Sequence, residues 1–451
     1  MIKTMSLIFL LLTVNANELY PAGSGTTSDL SVQAFSHPMK SVRGQDRRDF
    51  VVGNSFFQTV WVTSPSSTPL RDGLGPIYNA TSCAACHFKD GRGRGLPEVD
   101  GRTDISLLFR IRVKDAQGNI TPHPEYGGQF QPFGLSGVEG EGESRVSFSK
   151  VTGKFADGTS YELQKPNYVF SKLTQGQFSN NTILSPRVGP QMIGLGLLEN
   201  IREADILKNV DPNDKDGNGI SGRANFVYSE ILKTKVIGRF GWKAGKPSLI
   251  EQNAAAFNGD IGITTNIFPE EECSYVQSDC ISKMTAIDLE DDLLNKVTKY
   301  TQLLAVPVRR IDNPEASKRG QNNFHQIGCQ SCHTPSYTTG NSSEYAVLNN
   351  QKIYPYTDML LHDMGKELAD HDEVLANEGE ATTYEWRTPP LWGLGMIETV
   401  NGHTRYLHDG RARNLEEAIL WHGGEAKLVK EKYLKLSKLE REDLVKFLKS
   451  L

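Results

Sequence analysis

Cys83-Ala84-Ala85-Cys86-His87 and Cys329-Gln330-Ser331-Cys332-His333 decide how this chain reads. In each stretch two thiols are separated by two residues and an imidazole follows at once. Thiols at that spacing reach the two vinyl groups on one edge of a porphyrin, and the next histidine projects beneath the ring towards iron. A thioredoxin-like redox pair accounts for the cysteines but not for a histidine in both copies. A zinc site needs further Cys/His pairs at short spacing, and none lies near either stretch. The expectation is two covalently bound haems c, one held by Cys83, Cys86 and His87 and one by Cys329, Cys332 and His333.

The other two of the six cysteines, Cys273 and Cys280, lie close together after Pro269-Glu270-Glu271-Glu272. In an oxidising compartment they are expected to form a small-loop disulfide. The start of the chain points to such a compartment. Lys3 precedes the apolar run Leu7-Ile8-Phe9-Leu10-Leu11-Leu12, and Val14-Asn15-Ala16 offers a small-x-small cleavage pattern. That run is short for a bilayer span and fits a cleaved signal over residues 1–16, so the protein is expected to be periplasmic. No later stretch is apolar enough for a membrane helix. With 49 Lys and Arg against 54 Asp and Glu, the net charge is −5. Nothing in it resembles a basic nucleic-acid footprint.

At 451 residues the chain has room for two or three domains. Ser106–Val113 reads as a strand. Arg145–Lys150 and Phe155–Leu163 read as a hairpin turning at Asp157-Gly158. Helical periodicity marks Leu195–Val210, Pro247–Phe257, 286–305, Asn414–Trp421 and Lys427–Leu451, while Ala305–Pro314 reads as a hinge. The expected fold is mainly α: a cytochrome c-like haem domain over 17–304, enlarged by β-hairpin insertions, and a second over 305–451. An internal repeat supports related halves. Pro190-Gln-Met-Ile-Gly-Leu-Gly-Leu-Leu-Glu199 parallels Pro389-Pro-Leu-Trp-Gly-Leu-Gly-Met-Ile-Glu398, each downstream of its own Cys-x-x-Cys-His.

Several segments carry a family resemblance. Leu74–Cys83 and Lys89-Asp-Gly-Arg-Gly93 look like a cytochrome c haem lead and exit. Tyr354–Gly365, Arg387–Gly395, Tyr406–Ala412 and Leu415–Gly424 resemble the bacterial di-haem oxidoreductase family, described as peroxidases and sometimes as thiol oxidoreductases. That family is similar in its haem segments to dihaem cytochrome c peroxidases and to the dihaem enzyme that matures methylamine dehydrogenase.

The sixth iron ligand decides whether a haem relays electrons or reacts with oxygen species. The resemblance implies that the second haem takes it from the helix after His408-Asp409-Gly410. Counting along that segment reaches His422, with Met359 and Met364 as rival ligands. Trp242–Gln252 aligns without a gap on His408–Ala418, and continuing the count sets Ala256, which cannot ligate, opposite His422. The His87 haem is therefore expected to keep an open position. The resemblance further implies a tryptophan between the haems, with a glutamine and an acid over the open iron. Trp242 and Gln252 match in type and spacing. Asp260 is the nearest acid, shorter than the family's and slightly early, and Glu139 and Glu141 are alternatives.

Asp214, Asp216 and Asn218, with the Ile220 carbonyl, alternate as hard oxygen donors for calcium, although no bidentate Glu closes the loop. A plain Asp/Asn/Gly turn explains them as well. Gln129–Gly142 is glycine-rich but lacks the strand–helix setting of a phosphate loop.

The expected function is a peroxidase-like oxidoreductase. A small donor protein, cytochrome or cupredoxin, would reduce the second haem, and peroxide or a related oxidant would react at the first. The alternatives are a non-enzymatic electron carrier and a haem oxidase of protein or thiol substrates.

Overall fold

Two crossed helix pairs, one beside each Cys-x-x-Cys-His, organise the chain in the computed structural model, which describes residues 18–451 except 116, 285 and 286. The signal expected over 1–16 lies outside the described residues. Helix α1 (Gly44–Gln58) precedes the first motif, which forms the short α2 (Cys83–Cys86). There follow α3 (Leu249–Ala256), α4 (Asp291–Leu303), α5 (Pro314–Ile327), α6 (Leu415–Trp421), α7 (Lys427–Lys435) and α8 (Lys438–Ser450). Helix α1 crosses α4 with Phe50 and Phe57 packed on Tyr300, ring centroids 4.7 and 5.3 Å apart. In the second half α5 crosses α8, where Phe324 meets Phe447 at 5.4 Å. Each buried aromatic contributes roughly 1.5–3 kcal/mol.

Both crossings turn on a glycine. A Cβ on Gly53 would lie 2.1 Å from the Lys296 carbonyl oxygen, and one on Gly320 would lie 2.0 Å from that of Asp443. The repeated segments behave alike too. Gly194 and Gly393 both take left-handed backbone, φ 69° and 72°. A Cβ on Gly196 would meet Gln302 O at 2.3 Å, at the end of α4, and one on Gly395 would meet Lys449 O at 1.8 Å, at the end of α8. Each copy seats the chain against the last helix of its own half.

The mainly-α expectation is wrong: the protein is 30% helix and 21% strand, a mixed α and β architecture. Strand β1 (Leu107–Lys114) pairs antiparallel with β4 (Thr182–Val188), from Leu107↔Val188 to Val113↔Thr182. Between them β2 (Glu143–Lys154) and β3 (Ser160–Ser171) form a hairpin of twelve residues a side, longer than the alternating pattern suggests, with Gly158 at φ 86° in its turn. Many further strands are two or three residues long and pair across great distances in sequence, so no local alternation announces them. Thr26–Thr27 runs parallel to Val306–Pro307, inside the stretch read as a hinge. Leu361–Asp363 pairs with Glu385–Arg387. The helix expected over Leu195–Val210 is broken into Leu195–Glu199 and Glu203–Leu207.

One hydrophobic core runs through both helix pairs, and a second joins Phe109 on β1 and the loop aromatics Tyr126 and Phe130 to Trp242 and Trp386. Among the described residues no helix is long and apolar enough to cross a membrane.

Candidate haem sites

Each Cys-x-x-Cys-His closes one tight turn: His87 N donates to Cys83 O at 2.9 Å and His333 N to Cys329 O at 3.0 Å. The imidazoles are then aimed by backbone carbonyls. His87 Nδ1 lies 2.7 Å from Pro190 O, and His333 Nδ1 lies 3.0 Å from Tyr356 O. Donation from Nδ1 leaves Nε2 with a free lone pair, as an iron-binding histidine requires. Burial pushes the His87 imidazole down in pKa, and burial with the nearby His422 pushes His333 down to about 4. Both are neutral near pH 7, the form that binds metal. Burial also pushes the Cys83 and Cys329 thiols up to about 12, opposite to the lowered thiol of a redox pair.

A cavity opens over each motif. The first encloses 1640 Å³ outside protein atoms, solvent-open parts included, and its wall holds Cys83, Cys86, His87, Trp242, Gln252, Ala256 and Asp260. The second, of 1440 Å³, is lined by Cys329, Cys332, His333, Met364, Trp242 and His422. His422 ends α6, and its Nδ1 lies 2.6 Å from Ala418 O one turn back, so its Nε2 is also free. Of the rival ligands, Met364 shares this wall, whereas Met359 is buried in the core.

Helices α3 and α6 begin at the residues matched by the ungapped alignment. Ser248 accepts from Glu251 N at 3.4 Å, and Asn414 accepts from Glu417 N at 2.9 Å. Both glutamates are buried and bonded back to the preceding chain, Glu251 by Ser229 Oγ at 2.6 Å and Glu417 by Arg413 N at 2.9 Å. Two equivalently capped helices thus bring Ala256 to the first wall and His422 to the second. Ala256 presents a methyl group and no donor atom.

Past α3 the chain forms a π-turn, Phe257–Ile261, that carries Asp260. Gln129 Nε2 donates to Asp260 Oδ1 at 2.9 Å and to Gly259 O at 2.8 Å, and Gln131 Nε2 reaches the same carbonyl at 2.8 Å. The glycine-rich segment 129–142 therefore clamps this turn, a role its sequence does not disclose. Burial raises the pKa of Asp260 above its ordinary value, with Arg110 and the Gln129 bond opposing. Gln252 shares the wall, and its side chain makes no hydrogen bond to a described residue. Glu139 is exposed. Glu141 is buried off the cavity, accepting from Gln131 N at 2.6 Å and Gln277 Nε2 at 2.7 Å, and burial raises it to about 8. Of the three acids, only Asp260 lines the cavity. The loop carrying Gln277 is tied by a Cys273–Cys280 disulfide, Cα–Cα 5.8 Å.

The loop considered for calcium bonds to itself. Asp214 carboxylate oxygens accept from Gly219 N at 3.1 Å, Asp216 Oδ1 from Asn218 N at 3.1 Å, and Asn218 Oδ1 from Ile220 N at 2.8 Å. Among the described residues no group of three or more His, Cys, Asp or Glu is placed to hold a metal ion.

Trp242 stands on both walls, 7% exposed, with Nε1 donating to Val188 O at 2.8 Å. Arg92, Gln191, Arg387, Pro389 and Pro390 share both walls with it. The sequence reading missed these five as site residues. Their signal was present, because Arg92 sits in the exit of the first motif and the other four sit in or beside the repeated segments.

A family model described as "Di-haem oxidoreductase, putative peroxidase" matches residues 21–451. No curated protein matches. Among solved structures, hydrazine synthase of Kuenenia stuttgartiensis, pressurized with xenon, matches over 100% of both chains at 15% identity and a TM-score of 0.35. That likeness is too low to argue from.

Proposed function

The chain belongs to the di-haem oxidoreductase family, and on that premise we propose an exported dihaem c-type cytochrome that acts as a peroxidase-like oxidoreductase. The observation that carries this reading is the asymmetry of two equivalent helices: His422 reaches the second cavity where Ala256 reaches the first. The residues present fit two haems, because three half-buried imidazoles on the cavity walls each commit Nδ1 to a carbonyl and keep Nε2 for iron. Cys83 with Cys86, and Cys329 with Cys332, would hold the porphyrin edges. Haem supplies one-electron redox chemistry and, where a coordination position stays open, a place for peroxide.

The protein's own groups divide the remaining work. His333 and His422 close the second site for electron relay, and Trp242 lies on the path between the cavities. In the first site Asp260, with its raised pKa, takes a proton from peroxide and returns it to the departing oxygen, while the Gln252 amide orients both oxygens. The donor is a small redox protein, a cytochrome or cupredoxin. Spin state tests the whole reading. The purified protein should show one high-spin and one low-spin haem, and peroxide should change the spectrum of the first only. Two low-spin haems inert to peroxide would leave an electron carrier instead.

A further inference from the structure

Two of the six residues that stand on both cavity walls are arginines without counter-ions. Arg92 and Arg387 are 5% and 8% exposed. Arg92 donates from Nε to Arg405 O at 2.9 Å and from Nη2 to Leu407 O. Arg387 donates from Nε to Gly241 O at 2.9 Å and from Nη1 to Thr388 O at 3.3 Å. All these partners are neutral carbonyls. Arg92 Nη1 and Arg387 Nη2 have no acceptor, and neither guanidinium forms an ion pair, among the described residues. Asp409 acts on Arg92, and Asp358 on Arg387, only beyond ion-pair distance. Among the described residues the other buried cations are paired, such as Lys243 with Asp370 at 3.1 Å, Arg309 with Glu18 at 3.0 Å and Arg411 with Asp409 at 2.8 Å.

An unpaired buried cation is costly, so two at one wall mark a place built to receive anions. The planar fork of a guanidinium matches a carboxylate. Resting on the dihaem reading above, we propose that Arg92 and Arg387 are the counter-ions of haem propionate carboxylates, and that from the shared wall they set the charge felt by both haems. Arg92 also lies 5.4 Å from the centre of the Trp242 ring, so the same cation sits against the residue between the cavities. These are positioning residues, not catalytic ones.

The test compares Arg92→Gln and Arg387→Gln with Arg92→Lys and Arg387→Lys in the dihaem protein. It reads haem content, and the midpoint potentials of both haems from pH 5 to 9. Loss of a positive charge favours the oxidised haem. In each Gln variant both potentials should therefore move negative, with the reduced fraction at a fixed potential falling about tenfold (~59 mV for one electron). A carboxylate that loses its cation binds a proton more readily, so a pH dependence of the potentials should also move upward. The Lys variants should fall between. Gln variants that load two haems and keep wild-type potentials and pH slopes would overturn the proposal. If the Gln variants fail to load haem, rescue by Lys supports a charge role, and equal failure by Lys overturns it. A wild-type protein without two haems would instead sink the dihaem reading.

Discussion

His422 and Ala256 show how much one side chain decides. Their helices start at matched caps, and their buried glutamates are tied back in the same manner, so the supports of the two positions are alike. The difference is an imidazole with a free Nε2 against a methyl group. His422→Ala should therefore convert the second haem from low to high spin without loss of haem. Met364→Leu should change nothing, and an unaltered spectrum in His422→Ala would show that the ligand lies elsewhere. Asp260 is the other residue whose chemistry is set by its surroundings. Burial lifts its pKa above the ordinary 3.8, while its partners keep the carboxyl positioned on the cavity wall. In the proposed role it must be ionised to take the first proton from peroxide, so turnover should fall as the pH drops through its raised pKa. Asp260→Asn should lower turnover by about 10²–10⁴-fold and abolish that acid limb, while Asp260→Glu should retain it. Full turnover in the Asn variant would remove Asp260 from the mechanism. In the sequence Asp260 could not be chosen over Glu139 and Glu141, because side-chain type does not reveal which carboxyl reaches a cavity.

Helices α3, α4, α6, α7 and α8 fall within stretches whose periodicity reads as helical, whereas α1 and α5 were not read as helices, although the signals of α5 are local. Asn313 accepts from Ala316 N at 3.0 Å with Pro314 in the first turn, and Gly328 ends α5 in left-handed backbone at φ 102°. Such cap residues, with apolar positions three and four apart, mark a helix without help from the rest of the chain. The crossing of α5 and α8 is a different matter. It requires Gly320 to touch the backbone at Asp443, and nothing in the sequence of α5 names that partner. Gly320→Ala should force the helices apart and cost about 1–3 kcal/mol, read as a lower midpoint in denaturant, with the haem spectrum retained. A stability equal to wild type would mean that the crossing relaxes freely. The short strands were illegible for the same reason. Leu361–Asp363 is a strand only because Glu385–Arg387 comes to lie beside it. The loop at Asp214–Asn218 shows the opposite limit: alternate oxygen donors look alike in sequence whether or not they hold a cation, and here they also accept from the loop's own backbone.

At the scale of the whole molecule the two halves finish each other. Arg92, Gln191, Ile220 and Trp242 from the first half line the second cavity, and Glu378, Arg387, Pro389 and Pro390 from the second line the first. Thr26–Thr27 pairs with Val306–Pro307 across the expected boundary at residue 305, and the main core is continuous through both helix pairs. Heating should therefore give one cooperative transition in calorimetry. Residues 305–451 expressed alone should not reproduce the low-spin spectrum at the stability of the intact protein. A fragment with the same spectrum and the same melting temperature would show that the halves are independent.

By itself the sequence determined the haem motifs, their histidines, the repeat and the place to look for His422 and Ala256. The motifs follow from covalent spacing, and the places of His422 and Ala256 from what the family resemblance implies and an ungapped count; all of these are carried by short stretches and need no tertiary contacts. Only the tertiary structure decided that the fold is mixed rather than mainly α, that Asp260 alone of three acids reaches the first cavity, and that Trp242 is flanked by two unpaired arginines. Each of these depends on segments far apart in the chain meeting in space, and such meetings are fixed by packing and by the cost of burying unpaired charge, not by any local pattern.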